Sequence, residues 1–251
     1  MTNRAEEIFL KNKGRKDYEI SSHISLVNSY VFVQVSKAAS SNVKWALQSL
    51  EFSSSPWGVI DVNNKFFSPH LSPFQVPSEK LEEAFFLDSF KRVAFVRNPF
   101  SRILSCYLHR VVAKPRSPTN KALKKLTGGR GGPDVPFEEF VELICTQNAV
   151  DQEAHWRCQA EDLCVEDIRY DKFGRVEEIN KDLPDVIEML YGKKAADWYL
   201  NRAASDASPM KTGSSEKVKE FYQNKKTISQ IRTRFSLDFE WFGYDESPFR
   251  S

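Results

Sequence analysis

Two short apolar runs organise the first half of the chain. Tyr30-Val31-Phe32-Val33-Gln34-Val35 and Arg92-Val93-Ala94-Phe95-Val96-Arg97 are rich in β-branched and aromatic residues, and their length predicts two buried strands. Each is followed by a change to helical patterning. After the first, small polar residues lead into a helix over 43–50. After the second, Asn98-Pro99 breaks the strand and 100–112 reads as an amphipathic helix with Pro99 near its first turn. A further helix is predicted over about 78–90, with Ser78 as N-cap ahead of Glu79, Glu82 and Glu83. Helices are also predicted over 136–146 and 177–191, with strand material at 168–170 and 174–176. Residues 53–78, rich in Ser, Pro and Asn, read as loop. Residues 1–28 read as a polar arm or short helix. The basic stretch 114–135 holds four of the ten glycines and reads as a mobile surface segment. The last third is helical in pattern and ends in the cluster Phe235, Phe239, Trp241, Phe242, Tyr244.

Alternating strands and helices imply an α/β fold: a mostly parallel central sheet flanked by helices on both faces. No repeat or linker interrupts it, so residues 1–251 are expected to form one domain. Composition leaves that picture intact, with 41% hydrophobic and 28% charged residues. Charge adds a constraint. Thirty-six basic against 34 acidic residues give a net charge of +2, which argues against a nucleic-acid partner and makes any anion site local. The first twenty residues lack the apolar core of a signal peptide, and no apolar run approaches the ~18 residues of a transmembrane segment. A cytoplasmic location is therefore expected. Cys106, Cys145, Cys158 and Cys164 are scattered, so no metal is expected. Cys158 and Cys164 either pair or stand as two buried thiols.

Two segments carry candidate chemistry. Ser36-Lys37-Ala38-Ala39-Ser40-Ser41-Asn42 lies between a strand end and a helix start, where small side chains let main-chain amides wrap an anion and the helix dipole favours negative charge. Lys37 adds a cation, and Ser40 and Ser41 add hydroxyls. The pattern is not a Walker A loop, because GxxxxGK[ST] is absent. A plain connector with a solvated lysine is the competing reading. In the second segment Arg97 ends a strand and Ser105 follows eight positions later on a helix, with Arg102 between them. A planar guanidinium suits phosphate and a serine hydroxyl completes a cradle; the alternative is an arginine paired with a carboxylate. Ligands of open parallel sheets bind beyond the strands' carboxyl ends. Two cradles on successive strand–helix units suit a nucleotide with two separated phosphates.

With those residues in view, the sequence resembles the sulfotransferases that use 3′-phosphoadenosine 5′-phosphosulfate (PAPS), particularly the carbohydrate branch with chondroitin 4-O and HNK-1-like members. VFVQVSKAASSNVKWAL resembles the 5′-phosphosulfate loop of that family, and FVRNPFSRILSCY its 3′-phosphate motif. HWRCQAEDLC, YDKFGRVEEINKDL and the ending FYQ…FSLDFEWFGY resemble later landmarks, so the likeness runs from about residue 30 to 244. Ser36 departs from it, standing where a proline usually precedes the lysine. The lack of a signal anchor departs from the Golgi members and suggests a bacterial-type soluble enzyme.

The resemblance implies a P-loop-like three-layer sandwich and sulfuryl transfer from PAPS, leaving adenosine 3′,5′-bisphosphate (PAP), to a hydroxyl, with a saccharide as the expected acceptor and no metal. It places Lys37, Ala38, Ala39, Ser40, Ser41 and Asn42 at the phosphosulfate, and Arg97 and Ser105 at the 3′-phosphate. Lys211, in Lys211-Thr212-Gly213-Ser214-Ser215, resembles a segment that closes over the nucleotide; a solvated turn is the alternative. The base is open between His70, whose place in the chain order matches many sulfotransferase histidines, and His155, in a landmark of the carbohydrate branch. His70 is the preferred choice, and a glutamate is a further possibility. His23 and His109 are expected to be structural. Two other functions compete: a non-catalytic bisphosphonucleotide- or glycan-binding protein on the same fold, and a nucleotide kinase with an unusual phosphate loop.

Overall fold

The structure, a computed structural model, describes residues 3–203 and 214–249. In chain order it forms α1 (Arg4–Leu10), α2 (Arg15–Ser21), β1 (Ser22–Ser25), β2 (Tyr30–Val33), α3 (Ser40–Glu51), α4 (Ser78–Phe86) and β3 (Lys91–Val96). There follow α5 (Pro99–Cys106), α6 (Pro118–Leu126), α7 (Phe137–Cys145), α8 (Gln159–Leu163), β4 (Lys172–Arg175), α9 (Ile179–Tyr191), α10 (Lys193–Ala203), α11 (Ser214–Phe221), α12 (Lys225–Arg234) and α13 (Ser236–Phe242). By contacts the chain divides into two compact units. One takes the described residues of Met1–Val96 and Leu163–Met210, the other those of Arg97–Asp162 and Lys211–Ser251.

The first unit holds the whole sheet, in the order β1-β2-β3-β4. β2, β3 and β4 run parallel, and β1 pairs antiparallel with β2 at one edge. Strand alternation then builds a layered core. Tyr30, Phe32, Val93 and Phe95 pack on one face with Val43, Ala46, Leu47 and Leu50 of α3, Leu183, Val186 and Ile187 of α9, and Ala196 of α10. Val31, Val33, Ala94 and Val96 alternate to the other face, where α4 contacts both central strands. The sheet is thus a middle layer between helices, the α/β sandwich that the alternation predicted. Gly174 of β4 lies directly against the Phe95 ring, which leaves no room for a Cβ.

The N-terminal segment differs from a polar arm. Residues 4–25 form two helices and the edge strand, because Phe9 and Tyr18 stack with ring centroids 5.0 Å apart and Phe9 meets the Phe85 edge at 5.5 Å. Ser78 is the first helical residue of α4, and Pro77 occupies the cap. Strand β4 lies at 172–175, overlapping the second predicted stretch, 174–176, whereas 168–170 lies outside the strand.

The second unit is helical. Asn98 caps α5, its side chain accepting from Phe100 N and Ser101 N, and the helix continues as a π-helical turn over Tyr107–Val112. α5 contacts α11, and Tyr222 donates to the Phe100 carbonyl at 2.9 Å. The basic stretch 114–135 is largely ordered: Ser117 caps α6, and the Asn120 amide donates to the carbonyls of Arg110, Val111 and Lys114. Buried polar bonds, which the glycine content concealed, hold this segment in place. Cys158 and Cys164 are both thiols; Cys158 Sγ contacts Asp238 and Cys164 Sγ contacts the Ile8 carbonyl. No helix among the described residues is long and apolar enough to cross a membrane.

Candidate functional site

Parallel pairing brings the C-terminal ends of β2 and β3 to the same edge of the sheet. The chain leaves β2 through residues 34–39 and enters α3 at Ser40. Two residues of this turn adopt left-handed backbone without being glycine: Lys37 at φ +68° and Ala39 at φ +54°. Each such conformation costs on the order of 1–3 kcal/mol, and such strain concentrates at ligand sites. Ala39 is also the N-cap of α3 and provides no side-chain acceptor. The amides of Ser40 and Ser41 therefore sit in an uncapped first turn, where no intrahelical acceptor exists. Left-handed residues on either side of Ala38, beside an uncapped helix, present main-chain donors in a manner suited to an anion. Ala38 is buried, whereas Lys37, Ser40 and Asn42 are partly exposed and Ser41 is exposed.

One helical turn further on, Lys44 is buried and its Nζ donates to Asn63 Oδ1 at 2.9 Å; Ser41 Oγ approaches the same oxygen at 3.5 Å. Lys65 Nζ donates to the Ser22 carbonyl at 2.6 Å. Burial pushes the Lys44 ammonium down to about 8. Burial and the charge of Lys44 together push Lys65 down to about 7. A cleft of about 390 Å³ is lined by Ile20, Asp61, Asn63, Asn64 and Lys65. Sequence reasoning missed these two lysines because the 53–78 segment read as featureless loop. The signal available was a lysine on the apolar side of α3.

His70 is packed beneath this segment with no exposed side-chain surface. Its Nε2 pairs with Tyr30 Oη at 2.6 Å; Tyr30 Oη meets Tyr191 Oη at 2.7 Å, and Tyr191 donates to Glu51 at 2.8 Å. His70 Nδ1 has no hydrogen-bond partner among the described residues. Burial outweighs the Glu51 carboxylate, so His70 titrates at about 4 and is neutral at physiological pH. His23, in β1, stacks on Phe32 and bonds Gln34, a structural placement.

In the other unit, Arg97 is the first residue after β3. It is buried, and its Nε donates to Ser101 Oγ at 3.0 Å. Ser105 and Arg102 lie on the same helix and are fully buried. Ser101 stands four residues after Arg97 and four before Ser105, a spacing that puts both serines on one face of α5. Gln159 bonds both main-chain groups of Arg97, accepting from its N at 2.9 Å and donating to its O at 2.8 Å. His155, partly exposed, pairs through Nδ1 with Glu153 Oε1 at 2.8 Å. A larger cleft in this unit, about 570 Å³, is lined by residues including Cys145, Lys226 and Arg234 and by none of the candidate residues. Its cations are already paired, Lys226 with Glu142 and Arg234 with Glu161. Lys211 lies outside the described residues.

Known proteins match this arrangement of motifs. The family model described as "Sulfotransferase family" covers residues 23–245. Carbohydrate sulfotransferase 10 of Xenopus laevis is 26% identical over 215 residues, which is 77% of this chain and 57% of that protein. Carbohydrate sulfotransferase 11 of Mus musculus is 28% identical over 181 residues, 63% of this chain and 48% of that protein. The chain thus spans about half the length of the curated relatives it matches. No solved structure gives a significant match. With a family match running from β1 to beyond α13, the chain belongs to the sulfotransferase family.

Proposed function

We propose that the chain transfers a sulfuryl group from PAPS to a hydroxyl of a carbohydrate. One observation carries this reading: the Lys37–Ala39 turn, where two non-glycine residues hold left-handed backbone at the mouth of an uncapped helix. Strain of that kind persists where an anion must meet main-chain amides. The relatives' names, carbohydrate sulfotransferases 10 and 11, support the acceptor class.

In this reading the amides of residues 38–42 and the hydroxyls of Ser40 and Ser41 cradle the 5′-phosphosulfate. Lys37 neutralises charge growing on the bridging oxygen as the S–O bond to phosphate breaks. The acceptor oxygen forms the new S–O bond in line with the leaving group, its proton passes to a base, and PAP departs. Positioning and electrostatics do most of the work, as in phosphoryl transfer. Arg97 and Ser105 hold the 3′-phosphate. His70, neutral and able to accept a proton, is the proposed base.

Labelled PAPS offered with a panel of saccharide and non-saccharide alcohols tests this. Sulfated saccharide is expected. Its absence across the panel overturns the activity, and undiminished product with both Lys37→Ala and Arg97→Ala overturns the site. A second assignment of the base has its own support: His155 keeps exposed surface and is oriented by Glu153, whereas His70 is fully enclosed. His70→Ala should lose turnover and keep PAP affinity. If His155→Ala behaves so instead, the base is His155.

A further inference from the structure

Within the two late landmarks, His155-Trp156-Arg157-Cys158-Gln159 and Phe235-Ser236-Leu237-Asp238, only His155 has been given a role so far. The two landmarks meet at one buried cluster behind Arg97. Gln159 and Asp238 are both fully buried. The ladder of β3 ends with Val96 opposite Arg175. Beyond that point the N–H and C=O of residue 97 need partners, since a buried main-chain group left unpaired is costly. The Gln159 amide supplies both: Oε1 accepts from Arg97 N at 2.9 Å and Nε2 donates to Arg97 O at 2.8 Å. This is the two-bond exchange of a strand pair, made by a side chain.

Asp238 fixes the orientation of that amide. Its Oδ2 accepts from Gln159 Nε2 at 3.0 Å, while Oδ1 accepts from Ala160 N at 2.7 Å and meets Cys158 Sγ at 3.1 Å. A carboxylate only accepts, so the Gln159 NH₂ must face it, which leaves Oε1 toward the Arg97 amide. Support also reaches the side chain, where Ser101 Oγ holds Arg97 Nε at 3.0 Å.

We propose that Gln159 and Asp238 are positioning residues for the Arg97 anion contact, so that affinity for a 3′-phosphate depends on two residues placed behind the arginine. The inference rests on the reading of Arg97 as the 3′-phosphate contact. A guanidinium binds phosphate through a planar fork, and that fork tolerates little displacement of the main chain carrying it.

Calorimetric titration with adenosine 3′,5′-bisphosphate and with adenosine 5′-monophosphate separates the possibilities. Wild type should bind the bisphosphate more tightly. Gln159→Leu should weaken the bisphosphate by about tenfold and leave the monophosphate within about twofold. Asp238→Asn, isosteric and gentler on folding, should produce the same selective loss at about threefold; it carries the test if Gln159→Leu does not fold. Equal losses for both nucleotides, or an unchanged preference in Asp238→Asn, overturn the positioning role. A wild type with no preference for the bisphosphate overturns the Arg97 reading beneath it.

Discussion

The two candidate anion contacts are built from opposite materials. The Lys37 turn is made of main chain: strained residues at 37 and 39, an uncapped helix, and small side chains that stay out of the way. The Arg97 element is made of side chains: an arginine set by Ser101, its main chain set by Gln159, and Gln159 set by Asp238. A main-chain cradle accepts changes of side chain and fails when its dihedrals change. A side-chain cradle fails when its side chains change, and it depends as well on the main chain that carries the arginine. The turn takes its shape without glycine: the strand before it and the helix after it hold Lys37 and Ala39 in left-handed backbone at a cost in strain.

The largest expected effects test whether both halves bear on one reaction. Lys37→Ala and Arg97→Ala should each lower kcat/KM for sulfation by roughly 100-fold or more, the scale of losing one charge-stabilising donor. Loss with only one of them would show that the other half is structural. Next is a direct test of the main-chain half. Ala39→Val places a β-branched residue in left-handed backbone and should cost about 2 kcal/mol, read as a lower midpoint in thermal unfolding. PAP affinity should fall with it, whereas Ala39→Gly should retain that affinity. The corresponding change on the other side is gentler. Ser101→Ala removes one hydrogen bond to Arg97 and should weaken PAP about fivefold, with adenosine 5′-monophosphate unaffected.

The smallest effect concerns the buried lysines beside the turn. Lys65 titrates at about 7 in the folded chain against 10.5 for the ordinary side chain. Between those values the unfolded chain holds the extra proton. Stability therefore rises as pH goes from about 7 to about 10, and the destabilisation is fully present below about 7. Besides burial, the charge of Lys44 lowers this value and the charge of Glu19 raises it. Lys65→Met should flatten the rise in thermal midpoint over that window. An unchanged slope would mean that Lys65 keeps its ordinary proton affinity.

Much of this was legible before folding. Alternating β-branched runs and helical patterning located β2, β3, α3, α5, α7 and α9, because burial on both faces of a parallel strand demands continuous apolar sequence. Lys37 and Arg97 could be found because each follows such a run. Periodicity was silent where structure depends on distant partners. The N-terminal 28 residues looked polar, yet Phe9 and Tyr18 needed only Phe85 to make α1 and α2 part of the core. The glycine-rich 114–135 stretch looked mobile, yet Asn120 ties it to three carbonyls of the preceding turn. His70 was picked out by chain order, but burial lowers its titration against the raising charge of Glu51, and the hydrogen-bonded chain through Tyr30, Tyr191 and Glu51 joins groups far apart in sequence.

The sequence by itself determined the layered α/β fold and the family, and it singled out the two candidate anion-contact segments, since each depends on local pattern and on residues near one another in the chain. Only the tertiary structure decided how those segments are held. The left-handed dihedrals at Lys37 and Ala39 are imposed by the strand and helix on either side, against local preference. The Gln159–Asp238 support of Arg97 joins residues 79 and 62 positions apart. Hydrogen bonds between such distant groups leave no periodicity in the chain, because their partners are chosen by packing and not by spacing.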